Sequence, residues 1–149
     1  MKKALADAGA QAKVVAPRLG TLKGADGGEV KIDFSLLTAA SILFDAVYVP
    51  GGERSVEALK LEPDAVHFVN EAYKHCKALA ATGAGIELLL TSYVGAVFAG
   101  QAPDAQVLAE DEAVITGSDG QARKVAADFI KAIARHRNWA REKVDQVPA

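Results

Sequence analysis

The sequence predicts an α/β domain of three layers, in which helices cover both faces of a mostly parallel β-sheet. Short apolar runs bounded by turn residues, notably Asp45–Val49 and Ala78–Thr82, alternate with segments of helical periodicity. This alternation is typical of βαβ units. A chain of 149 residues suits one domain with a core of its own. We therefore expect a single domain over residues 1–149.

The amino-terminal half predicts mostly short elements. The first is a helix over Met1–Ala8 that Gly9 stops, followed by a strand over Ala12–Ala16 that Pro17 ends. Next comes a turn-rich β segment over Leu19–Ile32, in which Val30–Ile32 pairs as an outlying hairpin. Ser35–Ala40 is ambiguous, with one helical turn as an option, and the half ends with a strand over Asp45–Val49 that Pro50-Gly51-Gly52 closes. Glycine and proline set most of these limits, because glycine tolerates left-handed turns and proline has no amide hydrogen to donate.

The carboxyl-terminal half predicts longer helices around two further strands. A short helix covers Ser55–Leu59. A longer helix runs from Pro63 to about Lys77 and has one buried stripe, made of Val66, Val69, Tyr73 and Cys76. The last helix begins with a capping box of Ser118 and Gln121, runs to about Arg137 and directs inward Val125, Phe129, Ile130 and Ile133. The other elements are strands over Ala78–Thr82 and Ala113–Thr116, an apolar segment of uncertain type over Ile86–Phe98 that Gly95 interrupts, a loop at Gly100–Pro103 and a tail from Asn138.

The predicted order of elements lacks a first strand. An open sheet of the flavodoxin-like type has the strand order 2-1-3-4-5, so its first strand lies in mid-sheet. This chain instead opens on the helix that should follow that strand. We therefore expect a flavodoxin-like sheet with unpaired edges near its centre, an arrangement that invites pairing with a strand from another chain.

Composition and charge narrow the classes of function. Half of the residues are hydrophobic, 24% are charged and the net charge is -2, so there is no general attraction to nucleic acid or to an anionic membrane. No apolar run approaches the roughly 20 residues that span a bilayer. Cys76 is the one cysteine, which excludes an internal disulfide and favours the cytoplasm.

The candidate site lies where the Ala78–Thr82 strand meets the next helix. Ala81-Thr82-Gly83-Ala84-Gly85 fits the small-x-nucleophile-x-Gly frame of a nucleophile elbow, whose tip residue has a strained backbone conformation. The tip residue here is Gly83, which has no side chain. The adjacent Thr82 should point to the opposite side and has no evident base. We predict a degenerate elbow without a catalytic residue.

Two neighbouring patterns predict weaker sites. Pro50-Gly51-Gly52 follows a strand and could supply backbone N–H donors to an oxyanion. Because no nucleophile accompanies it, a tight turn, at most a vestigial oxyanion turn, is the preferred interpretation. Gly83 and Gly85 also begin a dinucleotide-binding G-x-G-x-x-G motif, but the third glycine position is Leu88. We expect no cofactor at either place.

The remaining reactive side chains predict neither catalysis nor metal binding. Cys76 on a buried stripe should behave as a small hydrophobe. The three histidines show no zinc-binding spacing such as HExxH. A basic and aromatic cluster near the carboxyl end consists of Arg135, His136, Arg137, Trp139 and Arg141. This cluster could contact nucleic acid or another subunit, but a solvated helix end followed by a docking tail is favoured.

Taken together, several segments resemble the C-terminal domain of large-subunit haem catalases, which is itself similar to the ThiJ/PfpI class I glutamine-amidotransferase-like fold. The specific segments are Asn70-Glu71-Ala72-Tyr73-Lys74-His75 with Lys77, and Ala134-Arg135-His136-Arg137 with Trp139 and Arg141. Further matches are Lys3–Leu5, Ala8-Gly9, Ala12-Lys13, Asp45-Ala46-Val47, Pro50, Gly52 and Val147-Pro148-Ala149. The resemblance covers nearly the whole chain.

This resemblance implies an accessory domain. Large catalases of this type decompose hydrogen peroxide to water and oxygen at a haem in a separate core. It therefore implies no cofactor in this chain, haem in the parent core, and the catalase core or a homo-oligomer as partner. ThiJ/PfpI relatives carry a Cys at the elbow, often followed by a His, and this chain has Gly83 and Ala84 there.

The resemblance thus leads us to expect a non-catalytic, cytoplasmic domain that supports catalase stability or assembly, or acts like a chaperone. Two alternatives stay open. One is a free-standing ThiJ/PfpI-type hydrolase or stress-response enzyme, and the other is a flavodoxin-like binder of a small ligand.

Overall fold

Short strands and helices alternate along the chain. The computed structural model describes residues 1–24, 27–99 and 111–142. In those ranges the helices are α1 (Lys2–Asp7), α2 (Glu53–Lys60), α3 (Pro63–Lys74), α4 (Gly85–Thr91), α5 (Tyr93–Phe98) and α6 (Ala122–Ala134). The strands are β1 (Val15–Ala16), β2 (Thr21–Lys23), β3 (Glu29–Lys31), β4 (Phe34–Ser35), β5 (Ala46–Val49), β6 (Ala78–Thr82) and β7 (Val114–Gly117). Short 3₁₀ turns cover Ser41–Leu43, Asp119–Gln121 and Trp139–Arg141. None of the described helices is long and apolar enough to cross a bilayer.

A parallel sheet with the strand order β5-β6-β7 forms the centre of the fold. Its register pairs Val47 with Leu79. β6 is buried at every position, as expected for a strand with neighbours on both sides and helices on both faces. Successive β6 residues point to opposite faces, so Leu79 and Ala81 belong to one apolar cluster and Ala78 and Ala80 to another.

Helices cover both faces of this sheet. On one face α2, α3, α4 and α5 contribute Val56, Val69, Ala72, Tyr73, Leu88, Leu89, Val94 and Val97 to the core. On the other face α1 and α6 contribute Leu5, Val125, Phe129 and Ala132. Burying a large apolar side chain contributes about 1.5–3 kcal/mol, so both layers stabilise the sheet between them. The predicted three-layer α/β class with a mostly parallel sheet is confirmed.

Two strand pairs lie outside the central sheet. β1 pairs parallel with β4, and β2 pairs antiparallel with β3 in the outlying hairpin that the glycines predict. Within the described ranges, no strand joins β1 to β5. The order 2-1-3-4-5 places the first strand at that position. In the described residues, β1 and β4 therefore form a pair that is separate from the β5-β6-β7 sheet.

The apolar segment after the elbow is broken at Ser92 and not at Gly95, so the prediction of a break at Gly95 is wrong. The Ser92 hydroxyl accepts a hydrogen bond from the Val94 amide and donates one to the Leu89 carbonyl. It thereby caps α5. Gly95 lies inside α5, where a Cβ would come within 2.6 Å of the Leu90 carbonyl carbon. The glycine thus permits close packing of α4 and α5.

The two longest helices end before the predicted residues. α3 ends at Lys74 and α6 ends at Ala134. Each is followed by a residue in the left-handed region, Cys76 at φ +59° and His136 at φ +66°, and such residues end helices. The prediction that Cys76 belongs to the α3 helix is therefore wrong, although the residue is buried. The loop predicted at Gly100–Pro103 lies outside the described residues.

Candidate functional site

A tight strand-to-helix turn joins β6 to α4 at the carboxyl edge of the sheet. Gly83 and Ala84 make this turn, since β6 ends at Thr82 and α4 begins at Gly85. Gly83 has φ +51°, a left-handed conformation that glycine adopts without steric cost. A Cβ on Gly85 would lie 2.6 Å from the Val49 carbonyl oxygen. Absence of a side chain there lets the first turn of α4 pack against the end of β5.

The carboxylate of Asp119 lies over the tip of this elbow. A Cβ built on Gly83 would lie 2.5 Å from Oδ1 and 2.6 Å from Cγ of Asp119, which is closer than Cβ atoms approach other atoms. A Cβ on Gly51 would lie 3.2 Å from the same Cγ. The carboxylate therefore rests against two glycines from neighbouring loops. It occupies the space that the side chain of a nucleophile at the tip would need.

Asp119 reaches the elbow because β5, β6 and β7 end at the same edge of the sheet. Gly51, Gly83 and Asp119 follow those three strand ends within two residues. The predicted capping box is confirmed and fixes the turn, with the Ser118 amide donating to Gln121 Oε1 at 3.0 Å. Sequence reasoning missed Asp119. Its place just after a strand, at the edge where open α/β folds keep their sites, was the available clue.

The Thr82 hydroxyl makes structural hydrogen bonds. Its Oγ1 lies 2.7 Å from the Tyr48 hydroxyl oxygen and accepts a hydrogen bond from the Gly51 amide at 3.3 Å. The residue is 2% exposed. A threonine needs an adjacent general base to act as a nucleophile, and neither hydrogen-bond partner in the described structure is a histidine or a carboxylate. Thr82 instead connects the end of β6 to β5 and its following turn.

Pro50-Gly51-Gly52 leads directly into α2. The Gly52 carbonyl accepts a hydrogen bond from the Val56 amide at 3.0 Å, and the Gly51 amide donates to Thr82. An oxyanion hole needs N–H groups that are free to point at one developing charge. Because the Gly51 amide is already bonded, this geometry favours a structural turn at the entry to α2.

Cys76 lies far from the elbow, at the amino edge of the sheet. Its Sγ donates a weak hydrogen bond to the Lys74 carbonyl at 3.8 Å. Burial raises the pKa of the Cys76 thiol above its usual value of 9.0, and the nearby Arg141 charge offsets this in part. The thiolate is the reactive form of cysteine. A raised pKa therefore makes the thiol unreactive at neutral pH.

The three histidines are spread over the surface. His75 Nε2 lies 3.4 Å from a Glu71 carboxylate oxygen near the end of α3. His67 and His136 are exposed. No group of three or more His, Cys, Asp or Glu side chains in residues 1–24, 27–99 and 111–142 could hold a metal ion.

The amino edge of the sheet carries a buried ion pair. Arg141 Nη2 donates to Asp111 Oδ1 at 2.9 Å and Nε donates to Oδ2 at 2.5 Å, and both side chains are 1% exposed. Arg141 Nη1 also donates to the Lys77 carbonyl at 2.7 Å. The guanidinium lies 4.3 Å from the ring centroid of Tyr73. Bidentate pairing and stacking of this kind are the strong interactions of arginine.

The carboxyl-terminal tail docks on the turn between α3 and β6. The Asn138 amide donates to the Cys76 carbonyl at 2.7 Å, and its side-chain Nδ2 donates to Asp111 at 2.6 Å. Arg137 donates to the His75 carbonyl. The tail therefore satisfies carbonyls at the end of α3 and the start of β6. This is the docking tail that the sequence favours for the basic cluster.

Lys77 extends this polar network on the side of β5. Its Nζ donates to the carbonyls of Ser41 at 3.1 Å and Ile42 at 2.7 Å, and to the carbonyl of Phe44. The residue is 2% exposed. Burial lowers the pKa of Lys77, and the Arg137 charge lowers it further. All three ammonium donors are used, so Lys77 anchors the 3₁₀ turn that precedes β5.

Comparison with known families identifies the domain type. The profile of the C-terminal domain found in long catalases matches residues 1–143. The chain belongs to this family. Catalase HPII of Mycobacterium avium is 45% identical over 145 residues, which make up 95% of this chain and 20% of that protein. A catalase of Alkalihalophilus pseudofirmus is 37% identical over 133 residues, 89% of this chain and 17% of that one. The domain thus spans about a fifth of the length of its curated relatives.

Solved structures show the fold type. A ThiJ/PfpI domain protein from Brachyspira murdochii superposes with a TM-score of 0.72 and 19% identity, covering 90% of this chain and 86% of that one. Drosophila melanogaster DJ-1beta superposes with a TM-score of 0.69 and 19% identity, covering 90% and 84%. The chain therefore has the flavodoxin-like fold of the DJ-1/ThiJ/PfpI proteins.

Proposed function

We propose that this chain is the non-catalytic accessory domain of a long catalase and that it supports the stability or assembly of the enzyme. The parent reaction would be the decomposition of hydrogen peroxide to water and oxygen. The observation that supports this proposal best is the filled elbow. Gly83 provides no nucleophile, and the Asp119 carboxylate occupies the space above it.

The haem that catalase relatives imply does not fit the described residues of this domain. Cys76 is buried with a raised pKa. No cluster of ligating side chains accompanies it or the exposed His67 and His136 within the described ranges. In this proposal the haem belongs to the catalase core outside the domain, and no step of the reaction involves residues of this chain.

The buried network at the amino edge supports a stabilising role. Arg141, Asp111 and Lys77 are buried charged groups, and burying charge is costly unless every partner is in place. Here the partners hold the tail against the sheet. A domain whose tail is held by buried hydrogen bonds suits a role as an assembly module, and a chaperone-like role is a further form of the same proposal.

Deletion of the domain from a long catalase tests the proposal. We expect turnover of hydrogen peroxide per haem to stay within about twofold, because a non-catalytic domain leaves the barrier of the reaction unchanged. We expect the half-life of activity at elevated temperature to fall and the oligomer to dissociate more readily. Unchanged half-life and assembly, measured by sedimentation, would refute the supporting role.

The isolated chain provides the matching test of the enzymatic alternative. We expect no turnover of peptides or α-oxoaldehydes above the uncatalysed rate, because the elbow has no nucleophile. Turnover that disappears in a Thr82→Val variant would establish a hydrolase-type or stress-enzyme function instead.

A further inference from the structure

Three successive carbonyls of the turn between α3 and β6 accept hydrogen bonds from the carboxyl-terminal tail. The acceptor residues and their donors are His75 with Arg137, Cys76 with Asn138, and Lys77 with Arg141. The bond from the Asn138 amide to the Cys76 carbonyl is 2.7 Å long. The tail therefore fixes the backbone on both sides of the one cysteine of the chain.

Side chains of the tail also surround the Cys76 thiol. Cys76 is 4% exposed. Burial raises the pKa of this thiol, and the charged groups that modify the rise belong to the tail or pair with it, namely Arg141, Glu142, Arg137 and Asp111. The Arg141 guanidinium is held beside the end of α3, 4.3 Å from the ring centroid of Tyr73. The cover over the thiol therefore depends on the docked tail.

Polar contacts, and little apolar burial, hold this cover in place. Trp139 is 58% exposed, and Arg141 is the buried residue among residues 137–142. Release of the tail returns the Arg141 and Asp111 charges to water, which offsets part of the lost pairing. A segment with few buried apolar contacts opens at a lower free energy than the domain as a whole. The tail can therefore detach while the two apolar cores stay packed.

We propose that residues 137–142 form a releasable strap over Cys76, so that docking or release of the strap decides whether the thiol can react. With the strap docked, the sulfur is shielded from solvent. With the strap released, the sulfur meets solvent and has the reactivity of an exposed thiol. Oxidation of cysteine begins at an accessible thiolate, so the strap controls the exposure of this residue to oxidants. The proposal rests on the contacts of the tail and is independent of the proposed function.

The rate at which the aromatic disulfide DTNB labels Cys76 in the full chain tests the shielding. The Cys76 thiolate attacks the disulfide and releases one thionitrobenzoate, and the single cysteine gives a single signal. We expect labelling at neutral pH to be at least about a hundredfold slower than in the same chain unfolded in urea, because the strap must open first. Equal rates in the folded and the unfolded chain would overturn the proposal.

Two alanine variants separate the contribution of the strap from that of a neighbouring ion pair. Asn138→Ala removes the hydrogen bond to Asp111 at 2.6 Å and should speed labelling by about tenfold, because hydrogen bonds to charged groups are strong. The control is Arg135→Ala, which removes an exposed ion pair outside the strap and should leave the rate within about twofold. Equal labelling rates in the two variants contradict a strap over the thiol.

The urea dependence of labelling separates release of the strap from unfolding of the whole domain. Sensitivity to urea scales with the surface that an opening exposes, and release of a short polar segment exposes little. We therefore expect the labelling rate of the unsubstituted chain to change little at urea concentrations below the unfolding transition. A labelling rate that rises as steeply with urea as the equilibrium constant for global unfolding would show that only the unfolded chain reacts, and it would overturn the proposal.

Discussion

At the carboxyl edge of the central sheet, the polar contacts among the described residues of the elbow are few. Thr82 bonds Tyr48 and Gly51, and Asp119 lies against Gly83. At the amino edge, a buried ion pair, a buried lysine and the docked tail form an extended network. Open α/β folds bind ligands at the carboxyl edge. In this chain the exposed Asp119 carboxylate lies over that edge, and the stronger polar interactions lie at the opposite edge, where they hold the domain together.

The largest expected loss of stability comes from a substitution at the amino edge. Arg141→Ala should lower the free energy of unfolding by about 3–5 kcal/mol, because it leaves the Asp111 carboxylate buried without its partner. Urea denaturation measures this loss. The control is Arg135→Ala, which removes the exposed pair with Glu112 and should cost less than about 1 kcal/mol. Equal losses in the two variants would contradict a special role for the buried pair.

At the carboxyl edge we expect a substitution of Gly83 to cause a smaller loss of unfolding free energy, part of which depends on Asp119. Gly83→Ala introduces a Cβ that meets the exposed Asp119 carboxylate and a side chain at positive φ, and it should lower the free energy of unfolding by about 1–2 kcal/mol. The control is Gly9→Ala, because Gly9 also has positive φ but nothing lies within 4 Å of its Cβ position. It reports the cost of the backbone conformation alone.

A double-mutant cycle isolates the contact between Gly83 and Asp119. Removing the carboxylate with Asp119→Ala should recover the part of the Gly83→Ala loss that exceeds the Gly9→Ala loss, since the two sites are in contact. Additive effects of the two substitutions would mean that the carboxylate does not occupy the tip. In the Asp119→Ala background, Gly83→Cys would then introduce a side chain that has room at the tip.

The smallest expected effect is the contribution of Cys76 to the change of stability with pH. Because burial raises the pKa of Cys76 above 9.0, the folded chain keeps this proton at pH values where the unfolded chain loses it. Stability from this group is therefore complete below pH 9.0 and declines as pH rises from there toward the folded-state pKa. Cys76→Ala should remove that part of the decline. Unfolding free energies of both proteins between neutral and alkaline pH give the slopes, and identical slopes would show that Cys76 has an ordinary pKa.

The difference between the two edges also explains which parts the sequence predicts well. Both ends of β6 are predicted correctly, because Lys77 and Gly83 mark the limits of a short apolar run. The break at Ser92 is not predicted, because a serine hydroxyl that caps α5 competes with the expected effect of Gly95. Periodicity predicts the elements with a clear apolar face and misplaces the ends that side-chain hydrogen bonds set.

The contacts at both edges depend on tertiary structure that a single sequence does not show. Asp119 lies 36 positions after Gly83, and only the parallel alignment of β6 and β7 brings them together. Likewise, the basic cluster predicts a docking tail but not that Arg141 pairs with Asp111. The glycine at position 83 is visible in the sequence, whereas the carboxylate that lies above it is not.

The most direct test of the contrast between the edges uses a long catalase that carries this domain. Arg141→Ala and Asp119→Ala variants of that enzyme are compared for peroxide turnover per haem and for the half-life of activity at elevated temperature. The account predicts that Arg141→Ala shortens the half-life several-fold with turnover unchanged, and that Asp119→Ala changes neither. A loss of turnover in Asp119→Ala at unchanged half-life would contradict it, because the carboxyl edge would then take part in catalysis.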